Sequence, residues 1–170
     1  MKIALVCPAS LPATQFGGIL FLCVDIAREL SKLGHDLTIY TTDLDFANNA
    51  NTFNKNLPRL EEIDGFRINR THVWLSLRLF YVNPRIYFQL KKERPDIIHT
   101  VGVRSFQSFV AALISKRYKI PLVVSDQGGL TTHPDLKKGG VEKLLYGLQT
   151  RFIRFIINQA TRISVPNDLY

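Results

Sequence analysis

Lys2-Ile3-Ala4-Leu5-Val6-Cys7-Pro8, then Gly17-Gly18, then a run in which Leu22, Cys23, Ile26, Leu30 and Leu33 recur, then Gly34-His35 and Leu37-Thr38-Ile39-Tyr40: these first 42 residues decide how the chain folds. The first apolar run is continuous, as in a strand covered on both faces, and it stops at Pro8. The recurrence that follows has helical spacing, with Arg28, Glu29 and Lys32 on the opposite side. Gly34 accepts the left-handed conformation that ends a helix. The reading is strand, glycine loop, helix, strand, with the glycines at the helix N-terminus. Unpaired N–H groups and partial positive charge there favour a phosphate or another anion.

Working outward, the unit repeats. Leu60-Glu61-Glu62-Ile63 and Phe66-Arg67-Ile68-Asn69-Arg70 flank Asp64-Gly65, a hairpin signal. The asparagine-rich residues 44–57 read as a mobile surface excursion. Pro84 opens a helix that Pro95 stops, and Asp96-Ile97-Ile98-His99 is the next strand, with His99 at its end. A helix with Phe106, Phe109, Val110, Leu113 and Ile114 inward follows, then the strand Leu122-Val123-Val124-Ser125 and a second glycine loop, Asp126-Gln127-Gly128-Gly129. A long helix covers 140–159 with Val141, Leu144, Leu145, Leu148, Phe152, Phe155 and Ile156 as its buried stripe, and the last strand is 162–165. Strands alternating with helices imply a parallel sheet, whose ligands sit beyond the C-terminal strand ends where strand order reverses. Gly17-Gly18, Thr41 to Asp43, His99 to Arg104 and Ser125 to Gly129 share that edge.

With 170 residues, 46% of them hydrophobic, the chain suits one α/β domain. Lys and Arg outnumber Asp and Glu by 22 to 14, a net charge of +8 that points to an anionic partner. Residues 67–94 concentrate the cations (Arg67, Arg70, Arg78, Arg85, Lys91, Lys92, Arg94) among Trp74, Phe80, Tyr81, Tyr87 and Phe88, a mixture that suits an anionic membrane surface. A solvated helix face is the plainer alternative. No recognised nucleic-acid motif is present. Cys7 and Cys23 lack metal or redox spacing and read as buried free thiols. The N-terminal apolar run is too short for a signal peptide, and no stretch reaches the roughly 18 apolar residues of a membrane span. A cytoplasmic location is therefore expected, with peripheral contact to the inner membrane face as an added option.

Candidate chemistry is sparse. Gly17 and Gly18 allow close backbone approach to a phosphate or sugar. A dinucleotide fingerprint is a poor match, since no third glycine follows before Gly34, although Asp43 keeps a ribose contact open. His99 at the strand end could face the cleft or bond within the sheet rim. Asp126, Gln127 and His133 surround the second glycine loop, where Asp126 could accept a proton or a sugar hydroxyl hydrogen bond and Gln127 could only hydrogen-bond. The four histidines show no metal-ligand spacing, and no nucleophile elbow occurs.

At these residues the chain resembles the N-terminal half of GT-B glycosyltransferases of the group 1 type, glycosyltransferase family 4. The resemblance is carried by Lys2 to Val6 with Gly17-Gly18, by Glu29-Leu30-Ser31-Lys32-Leu33-Gly34-His35-Asp36-Leu37-Thr38-Ile39, by Asp64-Gly65-Phe66-Arg67-Ile68, and by Arg94-Pro95-Asp96-Ile97-Ile98-His99 and Ile120-Pro121-Leu122-Val123-Val124-Ser125. It implies a Rossmann-like parallel sheet flanked by helices. It also implies a retaining transferase that moves a sugar from a nucleotide-sugar donor to a glycan or lipid-linked acceptor, generally without a bound metal or other cofactor. In that family the N-terminal domain handles the acceptor and its glycine loop, here Gly17 and Gly18, lies near the donor phosphates. The family's His-Gly pair after the fifth strand corresponds to Gln127-Gly128, so Asp126 or His133 is left to stand in for the histidine. The resemblance further implies that residues 1–170 are one acceptor-side domain, inactive without a donor-binding domain that these residues do not include. Two rival readings carry their own signals: a membrane-associated binding module, from the basic faces at 67–94 and 137–154, and a dinucleotide-binding oxidoreductase domain.

Overall fold

A computed structural model describes residues 1–45, 52–77, 80–127 and 140–164 of the chain. Seven strands form one sheet: β1 (Lys2–Val6), β2 (Asp36–Thr42), β3 (Leu60–Ile63), β4 (Phe66–Thr71), β7 (Ile97–Val101), β8 (Leu122–Ser125) and β9 (Arg162–Ser164), in the order β3-β4-β2-β1-β7-β8-β9. Every neighbouring pair is parallel except β3 with β4. Two further strands, β5 (Leu75–Leu77) and β6 (Phe80–Val82), form a separate antiparallel pair. The helices are α1 (Gly18–Lys32), α2 (Arg85–Glu93), α3 (Phe106–Tyr118) and α4 (Gly140–Gln159).

The period of two along β1 explains the layers. Ile3, Leu5 and Cys7 belong to a core cluster that includes Leu20, Cys23, Val24 and Ala27 of α1. Ala4 and Val6 belong to another that includes Ile86 and Leu90 of α2, Val110 and Ile114 of α3, and Ile153 and Ile156 of α4. Leu5, Ile39 and Ile98 are wholly buried, each worth about 1.5–3 kcal/mol of transfer free energy. The result is the Rossmann-like α/β arrangement expected from the alternation of elements, with helices on both faces of a mostly parallel sheet.

Local signals set several boundaries. Gly34, at φ +83°, closes α1: its N–H donates to Ser31 O and the His35 N–H donates to Leu30 O, the paired bonds of a Schellman motif. Asp64 and Gly65 both have positive φ (50° and 83°), the geometry of a type I′ hairpin turn between β3 and β4. Other expectations need correction. His99 does not end its strand, because β7 runs on to Val101. Leu113 and Leu148 are exposed (37% and 45%), and Gln107, Ser108, Ala111, Ala112 and Ser115 occupy buried positions on α3 instead. The base of the 44–57 excursion is anchored: Leu44 forms a bridge with Phe53, and the Asn54 N–H donates to Asp43 O. Residues 46–51 lie outside the described residues.

Candidate functional site

Strand order reverses between β1 and β7. From β1 the chain runs outward through β2 and β4, and from β7 it runs outward through β8 and β9. The loops after β1 and β7 therefore flank the crevice in which parallel sheets bind ligands. After β1, Pro8 O accepts the Thr42 hydroxyl at 2.7 Å, the Ala13 N–H donates to Ser10 O, and a 3-10 turn over Thr14–Phe16 leads to Gly17. Gly17 has φ +95° and ψ −157°, which a side chain would strain. A Cβ built on Gly17 or on Gly18 would meet nothing within 4 Å, so the backbone at the start of α1 faces open space. No side chain caps this end of α1, and its first turn holds no acidic residue. The Leu20 N–H donates to Gly17 O at 3.1 Å, which leaves the Gly18 and Ile19 N–H groups of that turn for an incoming anion.

Across the crevice, Gly102 has φ +87°, and a Cβ there would sit 3.6 Å from Cδ1 of Ile19. The loop after β7 abuts the first turn of α1. Hydroxyls fix that loop: Ser105 Oγ and Ser108 Oγ both donate to Gly102 O (3.1 and 2.7 Å), and Ser105 caps α3 by accepting from the Ser108 N–H. The Gly102 N–H donates to Ser125 O, which joins the ends of β7 and β8.

The structure disperses the side chains named from sequence. The ring of His99 lies between β7 and β8, with Nε2 2.8 Å from Ser125 Oγ, and burial pushes its pKa down. Asp126, which follows β8, is buried (3% exposed), and its backbone N–H donates to Ser164 O. Gln127 is exposed. Gly128 and His133 lie outside the described residues. Asp43 is turned inward, its carboxylate accepting from the Val73 N–H (3.1 Å) and lying 2.6 Å from His72 Nδ1. That geometry leaves no oxygen pointing at the ribose contact the sequence kept open. Among the described residues no group of three or more His, Cys, Asp or Glu side chains is placed to hold a metal ion.

The basic segment also divides. Arg70 is 1% exposed: its guanidinium donates to Pro58 O and Leu11 O (2.9 and 2.8 Å) and pairs with Glu61 at 2.6 Å. It is a clamp on the loop that leads to Gly17, not a surface cation. Arg85, Lys91, Lys92 and Arg94 are exposed, as are Trp74 and Phe88, whereas Tyr81 is wholly buried. Sequence reading passed over His72 and Arg59 altogether. The available signal was position, since His72 directly follows a strand that ends at the ligand edge. Cys7 and Cys23 are buried free thiols in mutual contact, and the Cys7 side chain together with burial raises the Cys23 pKa.

An uncapped helix start, opened by two glycines at the strand-order switch of a mostly parallel sheet, is the ligand edge of a Rossmann-like α/β domain. Residues 16–168 match the family model described as Glycosyltransferase Family 4, and the chain belongs to that family. Among solved structures, the fold is similar to that of MurG from Acinetobacter baumannii (12% identity, TM-score 0.53, covering 100% of this chain and 43% of that one). It is also similar to that of Alr3699/HepE from Anabaena, solved in complex with UDP (18% identity, TM-score 0.57, covering 96% and 37%). This chain thus spans less than half the length of either protein. No curated protein matches the sequence.

Proposed function

We propose that the chain is the acceptor-side domain of a retaining glycosyltransferase that moves a sugar from a nucleotide-sugar donor to a glycan or lipid-linked acceptor. A second domain would hold most of the donor nucleotide, and residues 1–170 alone would be inactive. One observation carries the reading: Gly17 and Gly18 open the uncapped N-terminus of α1 to the crevice, with nothing within 4 Å of the missing side chains. As the bond from the anomeric carbon to the phosphate oxygen breaks, negative charge grows on the leaving diphosphate. N–H groups already aimed at that point stabilise it without reorganising. The acceptor hydroxyl oxygen then bonds the anomeric carbon on the face the phosphate leaves, and its proton passes to the departing phosphate oxygen. Gln127, Gly128 and His99 are assigned to sugar or acceptor contacts, with His133 or Asp126 in the place of the family histidine. The reaction would run on the cytoplasmic side of the membrane.

The test uses the full-length protein and a panel of nucleotide sugars, with nucleotide release as the readout. Wild type is expected to turn over at least one donor, and Gly18→Leu to lose that turnover while its melting temperature holds, because the new side chain enters open space. Retained turnover in Gly18→Leu, or no turnover of any donor by wild type, would overturn the reading.

A second reading concerns place rather than chemistry: peripheral binding to an anionic lipid surface. Arg94 of the α2 end and Arg117 of the α3 end lie 4.8 and 5.6 Å from the ring of Tyr118, so the two basic helix ends meet. Lys91, Lys92, Lys116 and Lys119 flank them, all exposed.

A further inference from the structure

His72 stands where β4 ends, at the same edge of the sheet as the glycine loop. Its Nδ1 lies 2.6 Å from Oδ2 of Asp43, whose other oxygen accepts the Val73 N–H at 3.1 Å. The Asp43 side chain is 1% exposed, and Arg59 approaches the same Oδ2 at 3.8 Å. An ionised carboxylate only accepts, so the nitrogen facing it, Nδ1, carries a proton, and in the uncharged form of the ring Nε2 is the acceptor. Nε2 lies on the side of the imidazole away from Asp43, and the ring is a quarter exposed. Burying a carboxylate costs several kcal/mol unless it is paired, so the dyad is held in this orientation firmly.

The dyad is wired to the glycine loop. Thr42, next to Asp43, donates to Pro8 O, and Arg70, two residues before His72, donates to Leu11 O. Phe16, next to Gly17, and Phe53 both pack on Tyr81, with ring centroids 6.4 and 5.4 Å away. The ends of β2 and β4 and the approach to Gly17 therefore share one support. Exposed Trp74 follows two residues after His72 and donates its backbone N–H to Val82 O.

We propose that His72, oriented by Asp43, is a hydroxyl-binding residue of the acceptor-sugar site, its Nε2 accepting a hydrogen bond from one hydroxyl of the acceptor. The assignment deepens the glycosyltransferase reading and rests on it. His72 binds and aligns the acceptor, and no proton transfer is assigned to it.

Asparagine separates the two roles of the ring, since its amide N–H can replace Nδ1–H toward Asp43 but nothing replaces Nε2. The chain, with its histidines labelled in the ring nitrogens, is titrated with the methyl glycosides of glucose, galactose, mannose and N-acetylglucosamine. At least one glycoside is expected to shift the His72 nitrogen signals saturably. His72→Asn should keep the wild-type melting temperature and bind that glycoside about tenfold more weakly, the loss of one good hydrogen bond. Asp43→Asn should remove the fixed tautomer from the nitrogen spectrum. His72→Asn binding as tightly as wild type, or no glycoside moving the His72 signals, would overturn the proposal. Nucleotide-sugar turnover by the full-length protein is scored separately: glycoside binding at His72 without any turnover would leave the sugar site standing and remove the transferase reading.

Discussion

At the scale of single residues, His99 shows how placement decides chemistry. It pairs with Leu5 on one side and Val123 on the other, and its ring reaches Ser125 between strands. Burial lowers its pKa from the ordinary 6.5, so the folded chain holds it neutral where the unfolded chain would take up a proton. The unfolded state therefore binds more protons just below pH 6.5, and this contribution to stability is full above that pH and is lost as pH falls toward the lowered value. Denaturant unfolding across pH 5 to 8 should show this loss in wild type. His99→Gln, whose amide can reach Ser125 without titrating, should show a flatter profile; equal slopes would deny His99 this role. The sequence left two placements open, a ring facing the cleft or a ring bonded within the sheet rim, and the second is the one found; the strand end was misplaced, because a histidine closing an apolar run reads as its last residue whereas β7 continues to Val101. Gly34 and the Asp64-Gly65 turn were legible, because each is a local conformational demand met by its own residue type. The Asp43–His72 contact spans 29 positions, and nothing local announces it.

Elements follow the same division. The β1–α1–β2 unit and the β3–β4 hairpin were readable, since periodicity and turn chemistry agree there. The β5–β6 pair was not: Leu77-Arg78-Leu79-Phe80 offers none of the usual glycine, asparagine or aspartate turn signals. On helix α3, Val110 and Ile114 are buried and Phe106 and Phe109 pack against the same core as read from the sequence, but Leu113 is exposed and small and polar residues share the buried positions. Its Gln107 explains why a polar side chain is tolerated inside. The amide N–H group of Gln107 donates to Tyr81 O and to Asn83 Oδ1 (2.8 and 2.7 Å), and Asn83 in turn donates to Thr71 Oγ1 at 2.6 Å. One buried relay ties α3 to the hairpin and to the end of β4. Gln107→Leu strands these acceptors and should cost about 1–3 kcal/mol, read as a lower denaturant midpoint with an unchanged slope. A midpoint equal to wild type would show that the relay contributes nothing to stability.

For the whole molecule, charge and topology separate the two ends of the sheet. The crevice lies at the C-terminal strand ends, whereas the cations around Tyr118 gather at the C-terminal ends of α2 and α3. No helix among the described residues is long and apolar enough to cross a membrane. Each exposed cation near an anionic surface adds about 1 kcal/mol, screened by salt. The chain should float with phosphatidylglycerol vesicles at low ionic strength, release on added salt, and ignore neutral phosphatidylcholine vesicles. Lys91→Glu with Lys92→Glu should abolish flotation; salt-independent or absent binding would remove the lipid surface as a partner.

The order of the sheet carries one more consequence. Residues up to Thr71 build one side of it and residues from Ile97 onward build the other, and among the described residues the only strand ladder that joins the two sides is β1 with β7. That ladder is a seam, and the crevice lies directly over it. A molecule lodged there would grip both sides at once, so occupancy and the cooperativity of unfolding are coupled. Each tenfold excess of ligand over its dissociation constant would add about 1.4 kcal/mol against the seam's parting.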